Sequence, residues 1–160
     1  MLHSLFKKIE DNRMKTLLRT LTASHSSYAS FALRLPVGVI FMAHGGQKLF
    51  GWFGGYGLDG TAGFMASIGL APGLLMALLA GCSEFVGGLF ILLGLLTRPA
   101  ASVLAITMLV AIFAVHLTHG LFMSNNGYEF ALALLAASAS LVISGSGKLA
   151  LDNHLANRFA

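Results

Sequence analysis

Charge is scarce in this chain. Only 10% of its 160 residues are Asp, Glu, Lys or Arg, against about 25% in a soluble domain, and acidic groups number just six. An ordinary soluble globule is excluded. Cysteine is nearly absent too: Cys82 alone rules out an intrachain disulfide framework or a CxxC redox pair. What the chain has instead is apolar length, with 56% hydrophobic residues and a mean hydropathy of +0.80. Since a membrane span takes ~20 apolar residues, the length suffices for four spans and their connections and leaves no room for a separate soluble catalytic domain. The net charge of +4 raises nucleic acid as a partner, but the bases are sparse and flank apolar runs. They read as topology signals, and no nucleic-acid partner is expected.

The expected architecture is an all-α integral membrane protein, a four-transmembrane-helix bundle with spans at about 28–53, 73–96, 99–119 and 128–144. Gly54-Gly55-Tyr56-Gly57, Ala71-Pro72-Gly73, Thr97-Arg98-Pro99 and Asn125-Asn126-Gly127 punctuate it. Pro99 suits a first helical turn. Between the first two spans, Asp59 to Leu70 is too short to cross and predicts an interfacial or re-entrant helix capped by Asp59 or Thr61. Gly54 to Gly60 (GGYGLDG) follows no strand and is neither a phosphate loop nor a dinucleotide fingerprint. Residues 1–27, with Leu2, Leu5, Phe6, Ile9, Met14, Leu17 and Leu18 at helical spacing beside Lys7, Lys8, Arg13, Lys15 and Arg19, predict a basic amphipathic helix on an anionic membrane face. Residues 28–147 form the membrane domain and 148–160 a C-terminal tail.

Bases orient the bundle. They lie in the N-terminal segment, at Arg98 between the second and third spans, and at Lys148 and Arg158 in the tail; the loop between the third and fourth spans has none. Both termini are therefore expected in the cytoplasm. With that orientation His44, Lys48, Glu84, His116, His119 and Glu129 all fall in the outer half of the bundle, and Arg34 in the inner half, near enough to the interface to snorkel.

Ionisable groups inside a membrane are costly and usually mark function. His44 and Lys48 share a helix face, as do His116 and His119. Glu84 sits on a stripe of small residues, Ala77, Gly81 and Gly88, that lets a neighbouring backbone approach; Glu129 heads a similar stripe, Ala133, Ala136, Ser140 and Ser144. One lysine against two glutamates leaves a charge to be balanced by a proton or a cation. Burial and a nearby lysine act in opposite senses on a carboxylate, and a set of groups that exchanges protons serves quinone reduction or proton-coupled transport. Each residue has a plainer reading: Lys48 can snorkel beside an aromatic belt of Trp52, Phe53 and Tyr56, the histidines can bridge helices, and Glu84 can form a structural ion pair with Lys48. No metal motif is present, so no metal is expected, with His116, His119 and Glu129 the alternative ligand set. Cys82 reads as a buried small hydrophobe.

Arg34-Leu35-x-x-Gly38, His44-Gly45-x-x-Lys48-Leu49-Phe50-Gly51, Gly60-Thr61-Ala62-Gly63-Phe64, Ile68-Gly69-Leu70, Glu84-x-x-Gly87-Gly88, Leu93-Gly94-Leu95-Leu96-Thr97-Arg98, His116, Tyr128-Glu129 and Gly145-Ser146-Gly147-Lys148 together resemble the DoxX family of small bacterial membrane proteins over about residues 31–152. The basic N-terminal extension stands outside the resemblance, and Leu149-Ala150-Leu151-Asp152 departs from the family's Ser-Leu-Asp ending, so Asp152 is read as no more than a helix boundary. The resemblance implies a four-helix protein of the bacterial cytoplasmic (inner) membrane, related to a membrane subunit of a thiosulfate:quinone oxidoreductase and to proteins that meet thiol or quinone stress beside partner enzymes. Its matching polar positions are Arg34, His44, Lys48, Glu84, His116 and Glu129.

The leading expectation is a redox-linked subunit, working with a partner oxidoreductase subunit and with a membrane quinone as its cofactor or substrate. Glu84, His44 and Glu129 would exchange protons, and Lys48, His116, His119 and Trp52 would bind the ligand in an outer polar pocket. A proton-coupled permease or exporter, which at this size needs a homo-oligomer, and a non-enzymatic scaffold for an oxidoreductase are the alternatives. In every case the lipid bilayer is a partner.

Overall fold

A computed structural model describes residues 13, 14, 16, 20 and 27–158. Most of the expected amphipathic N-terminal helix lies outside the described residues. Among those described every regular element is helical, with no strand.

Four helices carry the fold. Helix α1 (Tyr28–Phe50) starts at Ser27, whose hydroxyl accepts from the Ala29 N–H (3.0 Å), and stops at Gly51. A short helix α2 (Gly57–Ser67) follows, then α3 (Gly73–Leu93). Helix α4 (Thr97–Ala111) continues through a π-helical turn at Ile112–His116 and a 3-10 turn at Leu117–His119. The last two are α5 (Glu129–Ser144) and the C-terminal α6 (Leu151–Arg158). Tyr28–Phe50, Gly73–Leu93 and the continuous Thr97–His119 are long and apolar enough to cross a membrane, while Glu129–Ser144 is a shorter apolar helix. At 1.5 Å per residue they run about 34, 31, 34 and 24 Å.

The boundaries move by a few residues from expectation. Left-handed glycines end two helices early: Gly51 stops α1 before Trp52 and Gly94 stops α3 before Leu95. Only glycine adopts that conformation without cost, so each is a natural stop. Helix α2 starts at Gly57, two residues ahead of Asp59 and four ahead of Thr61, the caps expected for it, and no side chain caps it. Thr61 is instead buried one turn inside.

Packing runs α1 on α3, α3 on α4, α4 on α5, with α1 meeting α5 to close the ring and α2 lying on α1 and α3. The shared core holds Phe41, Ile91, Leu104, Met108, Leu134 and Leu141. Across the α1–α3 contact glycines face backbone: a side chain on Gly45 would strike the Phe85 and Gly81 main chain, and one on Gly88 would strike Met42 and Gly38. The small-residue stripe of α3 is thus a helix contact. That of Glu129 is one only at its far end, where Ser144 meets Ser30 of α1 at 3.1 Å: Ala133, Ala136 and Ser140 are exposed, and α5 buries Ala131, Leu134, Ser138 and Leu141 instead. The two candidate faces of α5 are almost equally apolar, so spacing alone points to either. Outward, apolar side chains such as Leu79, Val86, Ile106, Val110 and Phe113 are exposed on α3 and α4, the surface a lipid-facing bundle presents.

Candidate functional site

Lys48 stands in the last turn of α1, where the helix dipole favours a cation. Glu84 stands at the middle of α3, on the stripe that α1 approaches. The close approach delivers one to the other: Lys48 Nζ lies 2.6 Å from Glu84 Oε2, with the Glu84 side chain 4% exposed and that of Lys48 27%. This contact is a charge-assisted ion pair. Glu84 is sealed between helices, and Lys48 alone opens the pair to its surroundings. Thr61 ties α2 to the same place, its hydroxyl lying 3.2 Å from the Lys48 carbonyl and 2.7 Å from that of Gly57.

An aromatic cluster joins the end of α1 to α3. Phe85, next to Glu84, meets Phe50 edge-on (centroids 5.3 Å) and Trp52 (5.6 Å), and Trp52 in turn meets Phe50 at 5.0 Å. Trp52 lies over Gly46, where a side chain would collide with its indole. His44, one turn before Lys48, is half-buried, with its ring 5.7 Å from that of Phe130 on α5.

The other candidates are engaged elsewhere. His116 Nδ1 lies 2.7 Å from the Asn126 carbonyl, His119 Nδ1 3.0 Å from that of Val115, and Glu129 Oε1 accepts from the Met123 N–H at 2.6 Å. With Tyr128 N–H on Gly120 and Glu129 N–H on Leu121, His116 and Glu129 fasten the connection between α4 and α5. The six ionisable groups expected in one cluster therefore divide into the Lys48–Glu84 pair, His44 beside it, and a loop-fastening set. Nor do His116, His119 and Glu129 form a metal set: among the described residues no three His, Cys, Asp or Glu side chains converge. Glu129→Ala is expected to free the Met123 amide and weaken the loop locally by about 0.5–1.5 kcal/mol. Hydrogen exchange at residues 120–128 should accelerate while α1 and α3 stay protected; uniform protection would show that the bond carries nothing.

An open apolar groove of about 570 Å³ runs between α3 and α4, lined by Cys82, Val86, Phe90, Pro99 and Val103 among others. Cys82 is exposed there rather than buried. At 100° per residue its face of α3 is about 160–200° from that of Glu84, so the groove is no part of the ion-pair site.

The polar centre that sequence reasoning missed is at the opposite end of α1. Arg34 does not snorkel; it is fully buried. Its Nη1 donates to the Ile91 and Leu92 carbonyls (3.2 Å each), and its Nη2 to those of Lys148 (3.2 Å) and Leu149 (3.0 Å). Asp152 is equally buried and accepts from the N–H groups of Leu96 (2.6 Å) and Thr97 (3.0 Å) at the start of α4. It is far more than a helix boundary, since it caps α4 and sets a negative charge against Arg34. Gly94 makes room, because a side chain there would overlap the guanidinium. The available signal was an arginine inside an apolar run, which demands partners wherever it is buried.

The DoxX family model matches residues 29–117, more than half of the chain. The chain belongs to the DoxX family. Among its relatives, "Putative oxidoreductase CatD" of Bacillus subtilis is 38% identical over 120 residues, covering 75% of this chain and 81% of that protein. An uncharacterized protein of Haemophilus influenzae is 36% identical over 76% of this chain and 86% of its own length. An uncharacterized membrane protein of Mycobacterium tuberculosis is 34% identical over 79% and 80%. No solved structure matches the chain significantly.

Within this DoxX protein the family match takes in Arg34, His44, Lys48, Glu84 and His116, and stops short of His119, Glu129 and Asp152. Chemically, the Lys48 ammonium has three N–H donors and spends one on Glu84. The pair can hold a polar group at the open side of Lys48 and exchange a proton with it.

Proposed function

We propose that this DoxX protein is a redox-linked membrane subunit in which Lys48 and Glu84 receive the head group of a quinone-like molecule. The observation that carries the reading is a sealed carboxylate held by a partly open lysine inside an apolar bundle. Such a pair is expensive in a membrane and is ordinarily kept for function. The donor set fits the group: Lys48 can donate to a carbonyl oxygen, and Glu84 can hold or release the proton that passes through Lys48. A quinone, when bound, would accept two electrons and two protons. The electrons are assigned to a partner oxidoreductase subunit, in keeping with the name of the Bacillus relative, and the protons to this chain.

The reading includes a topology. Helices α1, α3, α4 and α5 span a bacterial inner membrane, with Arg98, Lys148 and the N-terminal bases on the cytoplasmic side. The Lys48–Glu84 pair then lies toward the outer face and the Arg34 centre toward the inner one, while α2 is re-entrant, covering the end of α1. His44 completes the proton route; Glu129, His116 and His119 shape the outer loop.

The single tryptophan makes a direct test. Titrating the protein in nanodiscs with a short-chain quinone should quench Trp52 fluorescence saturably. Glu84→Gln and Lys48→Met should weaken that binding by about tenfold or more, the loss of one charge-assisted hydrogen bond. Linear quenching, identical in wild type and both variants, would sink the proposal.

A further inference from the structure

Helices α1 and α3 meet along matching stripes. On α1 the stripe is Arg34, Gly38, Phe41, Gly45 and Lys48; on α3 it is Ala77, Gly81, Glu84, Gly88 and Ile91. Both step by four and three residues, the 3.5-residue period of a coiled seam, here between antiparallel partners. Gly38 meets Gly88 and Gly45 meets Gly81, so the helices touch backbone to backbone. Between these contacts the buried side chains of Phe41 and Ile91 fill the seam, and Leu49 seats over Gly81.

A cation closes each end of that seam, Arg34 fully buried and Lys48 partly open. Lys48 bonds Glu84, and two heptads away, about 21 Å along the helix, Arg34 bonds the last carbonyls of α3. The other half of the Arg34 fork takes Lys148 and Leu149, in a strap anchored by Asp152 on α4 and by the Lys148 N–H on the Ser27 carbonyl (3.0 Å). Two leucines at this end, Leu96 (φ 45°) and Leu149 (φ 54°), are held in left-handed backbone. Such strain persists only where surrounding contacts over-determine the geometry.

We infer that Arg34, with the Asp152 strap, is a positioning residue for the Lys48–Glu84 pair. It fixes the register of α1 on α3, and the glycine seam carries that register rigidly to the far end, where it sets the ion-pair contact. The inference rests on the reading of that pair as the working site.

The test reads the pair itself. With ¹³C-labelled glutamate the chain carries three labelled carboxylates, Glu10, Glu84 and Glu129, and the Glu84 infrared band is assigned by its loss in Glu84→Gln. In Arg34→Gln and Asp152→Asn, reconstituted and verified as helical and monodisperse, the Glu84 band should shift and quinone-analogue binding at Trp52 should weaken by about tenfold. Leu104→Ala, a core truncation on α4, should lower thermal stability and leave the band in place. A Glu84 band unmoved in folded Arg34→Gln and Asp152→Asn overturns the inference, because a merely structural clasp lowers the melting temperature without touching Glu84. Should Arg34→Gln fail to fold, Asp152→Asn decides alone. A band that shifts in a protein whose wild type shows no saturable quenching supports the positioning role and refutes the quinone reading.

Discussion

Gly88→Ala is expected to destabilise the protein by about 3 kcal/mol, the upper range for forcing volume into a packed contact, whereas Gly87→Ala, one residue earlier, should be nearly neutral. A methyl on Gly88 would lie 2.7–2.9 Å from the Met42 nitrogen, the Gly38 carbonyl and the Phe41 Cβ, all on or next to the α1 backbone. None of them can turn aside. A methyl on Gly87 meets only the Leu104 side chain, at 3.1–3.4 Å, which can give by a few tenths of an ångström. Thermal unfolding of both variants in the same detergent makes the comparison, and equal melting temperatures would show that α1 and α3 are not held at backbone contact.

The second large effect concerns charge. Lys48→Met should cost about 3 kcal/mol, because it leaves the Glu84 carboxylate buried without its cation. Adding Glu84→Leu to it should restore stability to within about 1 kcal/mol of wild type, since replacing both members of a buried pair by apolar groups is often close to neutral. The double variant would then fold but give no saturable Trp52 quenching, which separates the pair's part in stability from its part in binding. Additive losses, with the double variant worse than either single, would mean that the two residues are not coupled in the folded protein.

The bundle was legible from composition because scarce charge and long apolar runs leave few alternatives to membrane helices. The Lys48–Glu84 contact was legible from Glu84 itself: a carboxylate amid Ala77, Gly81 and Gly88 can only be there for a close neighbour. Glu129 misled for the opposite reason. Its small-residue stripe looked like that of Glu84, yet all of it but Ser144 lies on the exposed face of α5; small residues permit contact without requiring it. Spacing also could not separate His116 and Glu129 from the pair, since their partners are backbone groups of a loop whose path depends on the π-helical turn ending α4. The Arg34 centre was the hardest to foresee, because its acceptors are main-chain carbonyls more than fifty and more than a hundred residues away. No residue type announces those.

That last distance bears on how the protein is made. Arg34 enters the membrane 114 residues ahead of Lys148, whose carbonyl helps complete its coordination, and at synthesis rates of about 5–20 residues per second the interval is on the order of ten seconds. Through that time α1 holds a guanidinium whose recourse is the nearby interface or, once α3 is made, the Ile91 and Leu92 carbonyls. The chain therefore completes this centre only when its C-terminal segment arrives. A chain cut short before Lys148 would leave the guanidinium with the two carbonyls of α3 and nothing beyond them.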